Sequence, residues 1–206
     1  MSLIQAYITR NFILVGGDTR GTNGDIVVSN DVKKVFKINK NIIIGMNGKV
    51  NGNCILFKDI IEFTDNKFKL KDVNFDQLTY KEFTSKINES YYNNNDYLQE
   101  NSIHSIVCGY NGERLMATTY ITKDANENFN KPVEIFPLNE TDVRVINCGE
   151  EQHYLDAFEL KDKINALNIL QFKNLFKDVL QKGIKYDNTI NNNADFEVIR
   201  LKDVII

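Results

Sequence analysis

The sequence predicts an α+β fold, a four-layer αββα sandwich in which two sheets pack together and helices cover their outer faces. Three observations carry that expectation. Short apolar or alternating runs come first, two stretches at helical spacing follow, and strands, one helix and a final strand close the chain. No repeat and no Pro- or Ser-rich linker interrupts the sequence. Its 206 residues suit a single domain spanning 1–206 with a core of more than one layer.

Each element has its own signal. Leu3 to Thr9 and Phe12 to Val15 are strand-like runs separated by Arg10-Asn11, which suits a tight hairpin. Gly16-Gly17 leaves the backbone free to bend beside Asp18. Asp25 to Ser29 and Lys33 to Ile38 form a second expected pair, turning at Asn30-Asp31, and Ile42 to Met46 is a buried run ended by Gly48. From Asn51 to Phe63 the period changes. Ile55, Leu56, Ile60 and Phe63 fall on one side and Lys58, Asp59 and Glu62 on the other, an amphipathic helix.

Residues 65–76 are polar enough for a loop, after which Leu78 to Tyr92 repeats the helical spacing through Phe83, Ile87 and Tyr91. Asn93-Asn94-Asn95 loosens that helix. Ser102 to Gly109, Arg114 to Thr122, Val133 to Pro137 and Val143 to Gly149 return to strands, with a polar loop from Thr122 to Lys131. Ile169 to Leu180 is helical by the spacing of Leu170, Phe172, Leu175, Phe176 and Val179, with Gly183 expected as its C-terminal cap. Asn188 to Asn193 is a flexible polar tract, and strand is expected at Phe196 to Leu201 and Val204 to Ile206.

Composition narrows the function classes. Hydrophobic residues at 42% and charged residues at 26% are ordinary values for a globular domain. A formal charge of −3 gives no reason to expect nucleic acid or an anionic membrane as partner. No apolar run is long enough for a transmembrane helix, and Gln5, Thr9, Arg10 and Asn11 break any signal-peptide pattern. Cys54, Cys108 and Cys148 are odd in number, widely spaced and free of any Cys-x-x-Cys pair. They read as reduced, buried thiols of a cytoplasmic protein. His104 and His153 fit no triad or metal spacing, and no metal or cofactor is expected. The abundance of Asn, Lys and Ile reads as the codon bias of an A/T-rich genome, and the Asn runs are too short for prion-like behaviour.

Ser2, Asp18 and Lys34 are evenly spaced along the chain. Once Met1 is removed, Ser2 carries a hydroxyl beside a free α-amino group. Such a hydroxyl becomes a nucleophile if the amine acts as base, a cation lowers proton affinities nearby, and a carboxylate holds that cation. Ser2, Lys34 and Asp18 could supply the three parts. Plainer readings stand beside this one. Ser2 could simply start a strand, Met-Ser-Leu could be a cloning addition, and Asp18 after two glycines could be a turn aspartate. Lys33 and Lys34 are adjacent in an expected strand, so they point to opposite faces. The one turned inward requires a carboxylate, because an unpaired buried ammonium is costly, and Asp18 is the candidate. Arg20 braces that carboxylate, braces a nearby loop, or is a surface arginine.

Gly16-Gly17-Asp18-Thr19-Arg20-Gly21-Thr22, Val32-Lys33-Lys34-Val35 and Met46-Asn47-Gly48-Lys49 stand in register, with no gap needed between them. This pattern resembles the proteasome β-subunit family and the bacterial proteasome-like peptidases, all N-terminal nucleophile hydrolases. Their sequences run through an Ala-Ala-Asp-Ser-Arg-Ala-Thr-like segment, Val-Lys-Lys-Val and a Met-Ala-Gly-Gly-like turn. Serine replaces the family's N-terminal threonine. The match is specific over about residues 2–65 and architectural beyond.

The resemblance implies the N-terminal nucleophile hydrolase sandwich, with Ser2, Asp18, Lys34 and Gly48 as catalytic residues and Arg20 in support. Gly48 would offer its backbone N–H to the oxyanion, a donor typically worth about 3 kcal/mol. Thr22 and the segment after Gly48, Lys49 and Val50, would pair with an extended peptide by backbone hydrogen bonds. Lys49 stands where a small residue is usual, which alters the specificity pocket. The family's Gly-Ser-Gly-like turn reads Asn147-Cys148-Gly149-Glu150-Glu151 here, without the serine. Either Glu150 takes part of its task or the amine is less finely tuned, and Asp162 lies near the place of the family's late aspartate. The implied activity is peptide-bond cleavage. Amide hydrolysis of a small molecule, or a catalytically silent scaffold subunit, are the alternatives. The expected partners are a peptide or protein substrate and further copies of the chain in a homo-oligomer. No Gly-x-x-x-x-Gly-Lys motif occurs, so unfolding of protein substrates would need a separate ATPase.

Overall fold

A computed structural model describes residues 3–23, 26–48, 61–64, 67–71, 74–94, 103–121, 132–148, 167–185 and 187–204, with backbone alone at 61–64, 67–70 and 121. Strand β1 (Ile4–Ile8) turns into β2 (Phe12–Asp18), and the pair is flanked by β12 (Arg144–Cys148) and β13 (Ala194–Arg200) in a four-stranded sheet ordered β12-β1-β2-β13. A five-stranded sheet runs β11 (Val133–Ile135), β10 (Leu115–Ile121), β9 (Ile103–Tyr110), β6 (Ile42–Gly48), β5 (Val35–Asn39). Two hairpins complete the strands: β3 (Gly21–Asn23) with β4 (Ile26–Ser29), and β7 (Ile61–Thr64) with β8 (Lys67–Leu70). Every pairing among the described strands is antiparallel.

All five residues of β1 are buried, so the strand is covered on both faces. Alternation divides them. Ile4, Ala6 and Ile8 join Ile13 and Val15 of β2 against Val35, Ile43, Ile106, Cys108 and Ala117 of the five-stranded sheet, which makes the contact between sheets. Leu3, Tyr7 and Leu14 face the other way, onto Phe172, Phe176, Val179 and Leu180 of helix α2 (Ile169–Gly183). The outer face of the five-stranded sheet is covered by helix α1 (Tyr80–Asn93), whose Tyr80, Phe83, Ile87 and Tyr91 meet Phe36, Ile44, Met46, Val107 and Met116. The tyrosines are buried because their hydroxyls find partners: Tyr80 donates to Val107 O at 3.1 Å and Tyr91 to Ile103 O at 3.2 Å. Capping boxes start both helices, Thr79 with Glu82 and Asn168 with Gln171.

Several expected elements differ. Ile61–Thr64 is a strand, so the amphipathic helix does not extend to Phe63, and its earlier part, 51–60, lies outside the described residues. The expected loop at 65–76 contains β8. Of the stretch expected from Asp25 to Ser29, Ile26–Ser29 pairs with β3 instead of with Lys33 to Ile38, while β5 pairs with β6. Gly183 lies inside α2, with Ile184 as C-cap, because Ile184 N–H reaches back to Leu180 O and needs no left-handed residue. Leu201–Val204 is the short helix α3, not strand. The polar loop from Thr122 to Lys131 falls outside the described residues.

Candidate active site

Asp18 ends β2 with its side chain fully buried. Its Oδ1 accepts from Leu3 N–H at 2.8 Å and from Lys34 Nζ at 2.8 Å, and its Oδ2 accepts from Arg20 N–H at 3.0 Å. Asp18 N–H in turn donates to Leu3 O at 3.0 Å. The residue after Ser2 is therefore bonded to Asp18 through both its N–H and its C=O.

Lys34 immediately precedes β5, and its carbonyl accepts from Met46 N–H at 2.9 Å, which ties it to β6 two residues before Gly48. Its side chain is 5% exposed, and its ammonium has a second acceptor, Arg20 O, at 2.6 Å. Lys33 turns the other way, half exposed, 3.4 Å from Glu197 Oε1. The inward lysine is Lys34.

Burial drives the electrostatics of this pair. Desolvation raises the Asp18 carboxyl above the usual carboxylate range, while the Lys34 charge, its hydrogen bond and the Leu3 and Arg20 N–H groups pull the other way. Desolvation likewise lowers Lys34, against the pull of Asp18 and the more distant Asp187, with Arg20 adding to the lowering.

The glycines before Asp18 do not bend the chain. Both lie inside β2 without positive φ. They allow close packing instead: a Cβ on Gly17 would stand 2.8 Å from Val35 Cγ2, and one on Gly16 2.9 Å from Phe196 Cε1. Gly48 has φ of +142° at the exposed end of β6, a conformation that favours glycine. Thr22 sits in β3 opposite Val27, and the β3–β4 hairpin exposes Ile26, Val27 and Val28. The Arg20 side chain braces a loop, with Nε donating to Asn30 Oδ1 at 3.0 Å and Nη1 to Asn188 O at 2.7 Å; only its backbone touches the carboxylate.

The structure thus brings Asp18, Lys34 and the Arg20 backbone together. Ser2, Lys49, Val50, Glu150 and Asp162 lie outside the described residues, as do Cys54 and His153. Cys108 and Cys148 are buried free thiols, and burial pushes Cys148 up to about 12. Asn47 Nδ2 donates to Cys148 O at 2.9 Å, joining the ends of β6 and β12. Among the described residues, no group of three or more His, Cys, Asp or Glu is placed to hold a metal, and no helix is long and apolar enough to cross a membrane.

Asp187, whose charge also acts on Lys34, carries no such signal in the sequence. It follows α2, with its N–H bonded to Gly183 O at 2.9 Å and its Oδ1 accepting from Thr189 N–H and Oγ1 at 2.8 and 2.6 Å. In sequence it reads as a turn aspartate before a polar tract. That tract is not loose: Ile190 and Asn191 are buried, and Asn191 bonds to Thr19.

A family model described as proteasome subunit matches residues 4–124, a span that includes Asp18, Lys34 and Gly48. No curated protein matches the chain.

Proposed function

The chain belongs to the proteasome subunit family, whose model matches more than half of it, and from that premise we propose that it is an N-terminal nucleophile hydrolase cleaving peptide bonds through Ser2 after Met1 is removed. The observation that carries the proposal is the buried Lys34–Asp18 pair at 2.8 Å, whose carboxylate also takes the N–H of Leu3, the neighbour of Ser2. Two of the three ammonium hydrogens of Lys34 are engaged by Asp18 and Arg20 O, and the third has no acceptor among the described residues.

In this reading the Ser2 α-amine takes the hydroxyl proton as Ser2 Oγ attacks the scissile carbonyl. Lys34 lowers proton affinities at the nucleophile, and Asp18 keeps Lys34 charged and oriented. Gly48 N–H stabilises the oxyanion. The amine then protonates the departing amine of the peptide, leaving an ester on Ser2 that water hydrolyses. Thr22, Lys49 and Val50 bind the extended substrate.

The reading extends to architecture and partners. The three apolar clusters support an αββα order of layers, α2, four-stranded sheet, five-stranded sheet, α1, in one domain over 1–206. Protein or peptide substrates, a homo-oligomeric assembly, a separate ATPase and a cytoplasmic location belong to the same proposal. Mass spectrometry tests its centre. Loss of Met1 and a Ser2 adduct with an electrophilic peptide or β-lactone are expected; retention of Met1, or a free-Ser2 protein that forms no adduct, overturns it.

A further inference from the structure

Four side chains from opposite ends of the sequence knot together beside the Asp18–Lys34 pair. Asn191 is 5% exposed. Its Oδ1 accepts from Thr19 N–H at 3.2 Å, and its Nδ2 donates to Thr19 Oγ1 at 3.2 Å and Asn30 Oδ1 at 3.4 Å. Thr19 Oγ1 donates onward to Asn30 O at 2.8 Å, and Arg20 bridges Asn30 Oδ1 to Asn188 O. A backbone N–H can only donate, so Thr19 N–H fixes which way the Asn191 amide faces. The knot thereby joins the segment just after Asp18 to the loop that starts at Asp187.

We propose that Asn191 is a positioning residue of this site, its side-chain amide clasping the 187–191 loop to Thr19 and so holding the Asp187 carboxylate at a set distance from the Lys34 ammonium. The loop is already anchored at one end, where Asp187 N–H meets Gly183 O, and stiffened by the Asp187–Thr189 turn. Asn191 supplies the second anchor, four residues on. A short loop pinned at both ends leaves the carboxylate between them little freedom. The charged groups that act on Lys34 are Asp18 in contact, Asp187 at longer range and Arg20 opposing them; Lys33 faces Glu197 on the other side. Arg20 also reaches this loop, through Asn188 O, but keeps its own anchors at Asn30 Oδ1 and, through its N–H, at Asp18; of the two carboxylates, Asp187 is the one in the loop that Asn191 ties down.

This inference rests on the peptidase reading for its purpose, but its test does not need turnover. Lysine 13Cε chemical shifts in the free protein report the titration of Lys34 directly. In Asn191→Ala the Lys34 pKa is expected to fall below that of the wild type, because a carboxylate that is no longer held in place favours the charged ammonium less. Thr19→Val, which removes the Oγ1 bonds to Asn191 and to Asn30 O but keeps the bond from Thr19 N–H to Asn191 Oδ1, should give a smaller fall and serves if Asn191→Ala does not fold. In an Asp187→Asn background neither change should move Lys34 further. An unchanged Lys34 titration in both variants overturns the proposal, as does an equal fall with Asp187 already neutral. A protein that passes this cycle yet hydrolyses nothing keeps the clasp and loses the peptidase reading.

Discussion

Lys34 Nζ lies 2.8 Å from Asp18 Oδ1, with the lysine 5% and the aspartate 0% exposed. Burying two opposite charges costs desolvation that their attraction offsets only when the remaining donors and acceptors are also met. Here Leu3 and Arg20 N–H groups meet the carboxylate, and Arg20 O meets the ammonium. Such a pair is a poor device for stability alone. In the proposed mechanism its position beside the start of β1 gives it a use.

Lys34→Ala should reduce hydrolysis by about a hundredfold or more, the scale at which proton-transfer assistance is lost. Lys33→Ala should keep most activity, since Lys33 makes an exposed 3.4 Å pair with Glu197 of a kind that contributes little. Steady-state rates on a fluorogenic peptide compare the two. Equal losses would point to a general folding or charge effect and against a specific cation.

Lys34→Met should destabilise the fold by roughly 3–5 kcal/mol near neutral pH, because it strands a buried carboxylate. The sign with pH follows from Asp18, whose folded pKa is already raised by burial and loses its compensating cation in the variant. A raised folded pKa gives stability below the unfolded carboxylate value that is lost as pH rises through the folded one. The deficit against wild type should therefore shrink as the pH falls toward about 4, the ordinary carboxylate value. Denaturant midpoints across that range check it; a deficit that grows on acidification would contradict the burial argument.

Gly17→Ala should destabilise by about 1–3 kcal/mol through overpacking. The new Cβ would meet Val35 Cγ2 at 2.8 Å and Lys34 Cβ at 3.6 Å, between the two sheets. Val35→Ala in the same chain should recover part of the loss, read by thermal unfolding; no recovery would place the strain elsewhere.

The Asp18–Lys34 pair could be read from sequence because both residues sit on strongly patterned segments. Adjacent Lys33 and Lys34 had to diverge, and the buried one had to find a carboxylate. Pairing partners were harder. Residues 26–29 can turn back on 21–23 or forward on 35–39, and local pattern does not choose between them. At Ile61-Glu62-Phe63-Thr64 four residues fit an alternating period as well as a helical one, and strand pairing with Lys67–Leu70 decided it. Asp187 escaped because its relation to Lys34 passes through α2 and a long-range clasp. The Thr79-x-x-Glu82 and Asn168-x-x-Gln171 boxes are legible in the sequence as helix starts.

The protein should sediment as an oligomer at micromolar concentration. The β3–β4 hairpin leaves Ile26 at 71% exposure with Val27 and Val28 beside it, an apolar run that an isolated subunit would present to water. Analytical ultracentrifugation distinguishes the outcomes, and a monomer would refute the assembly. Ile26→Lys should weaken the association if this hairpin takes part.

Turnover should depend on a free amine at Ser2. An unperturbed α-amino group has a pKa of about 8. A neighbouring Lys34 cation disfavours a second positive charge, so the amine becomes neutral and able to accept a proton at physiological pH. Asp18 is anchored to this end of the chain by two bonds to Leu3, 2.8 Å from Leu3 N–H to its carboxylate and 3.0 Å from its own N–H to Leu3 O. Acetylating Ser2, or keeping one residue before it, converts the amine to an amide nitrogen with no available lone pair. Either change should abolish hydrolysis while leaving the fold intact by circular dichroism. Ser2→Thr keeps the hydroxyl and the amine and should preserve or raise the rate. If the blocked protein cleaved its substrate as fast as the free one, the amine would not be the base, whatever the fold.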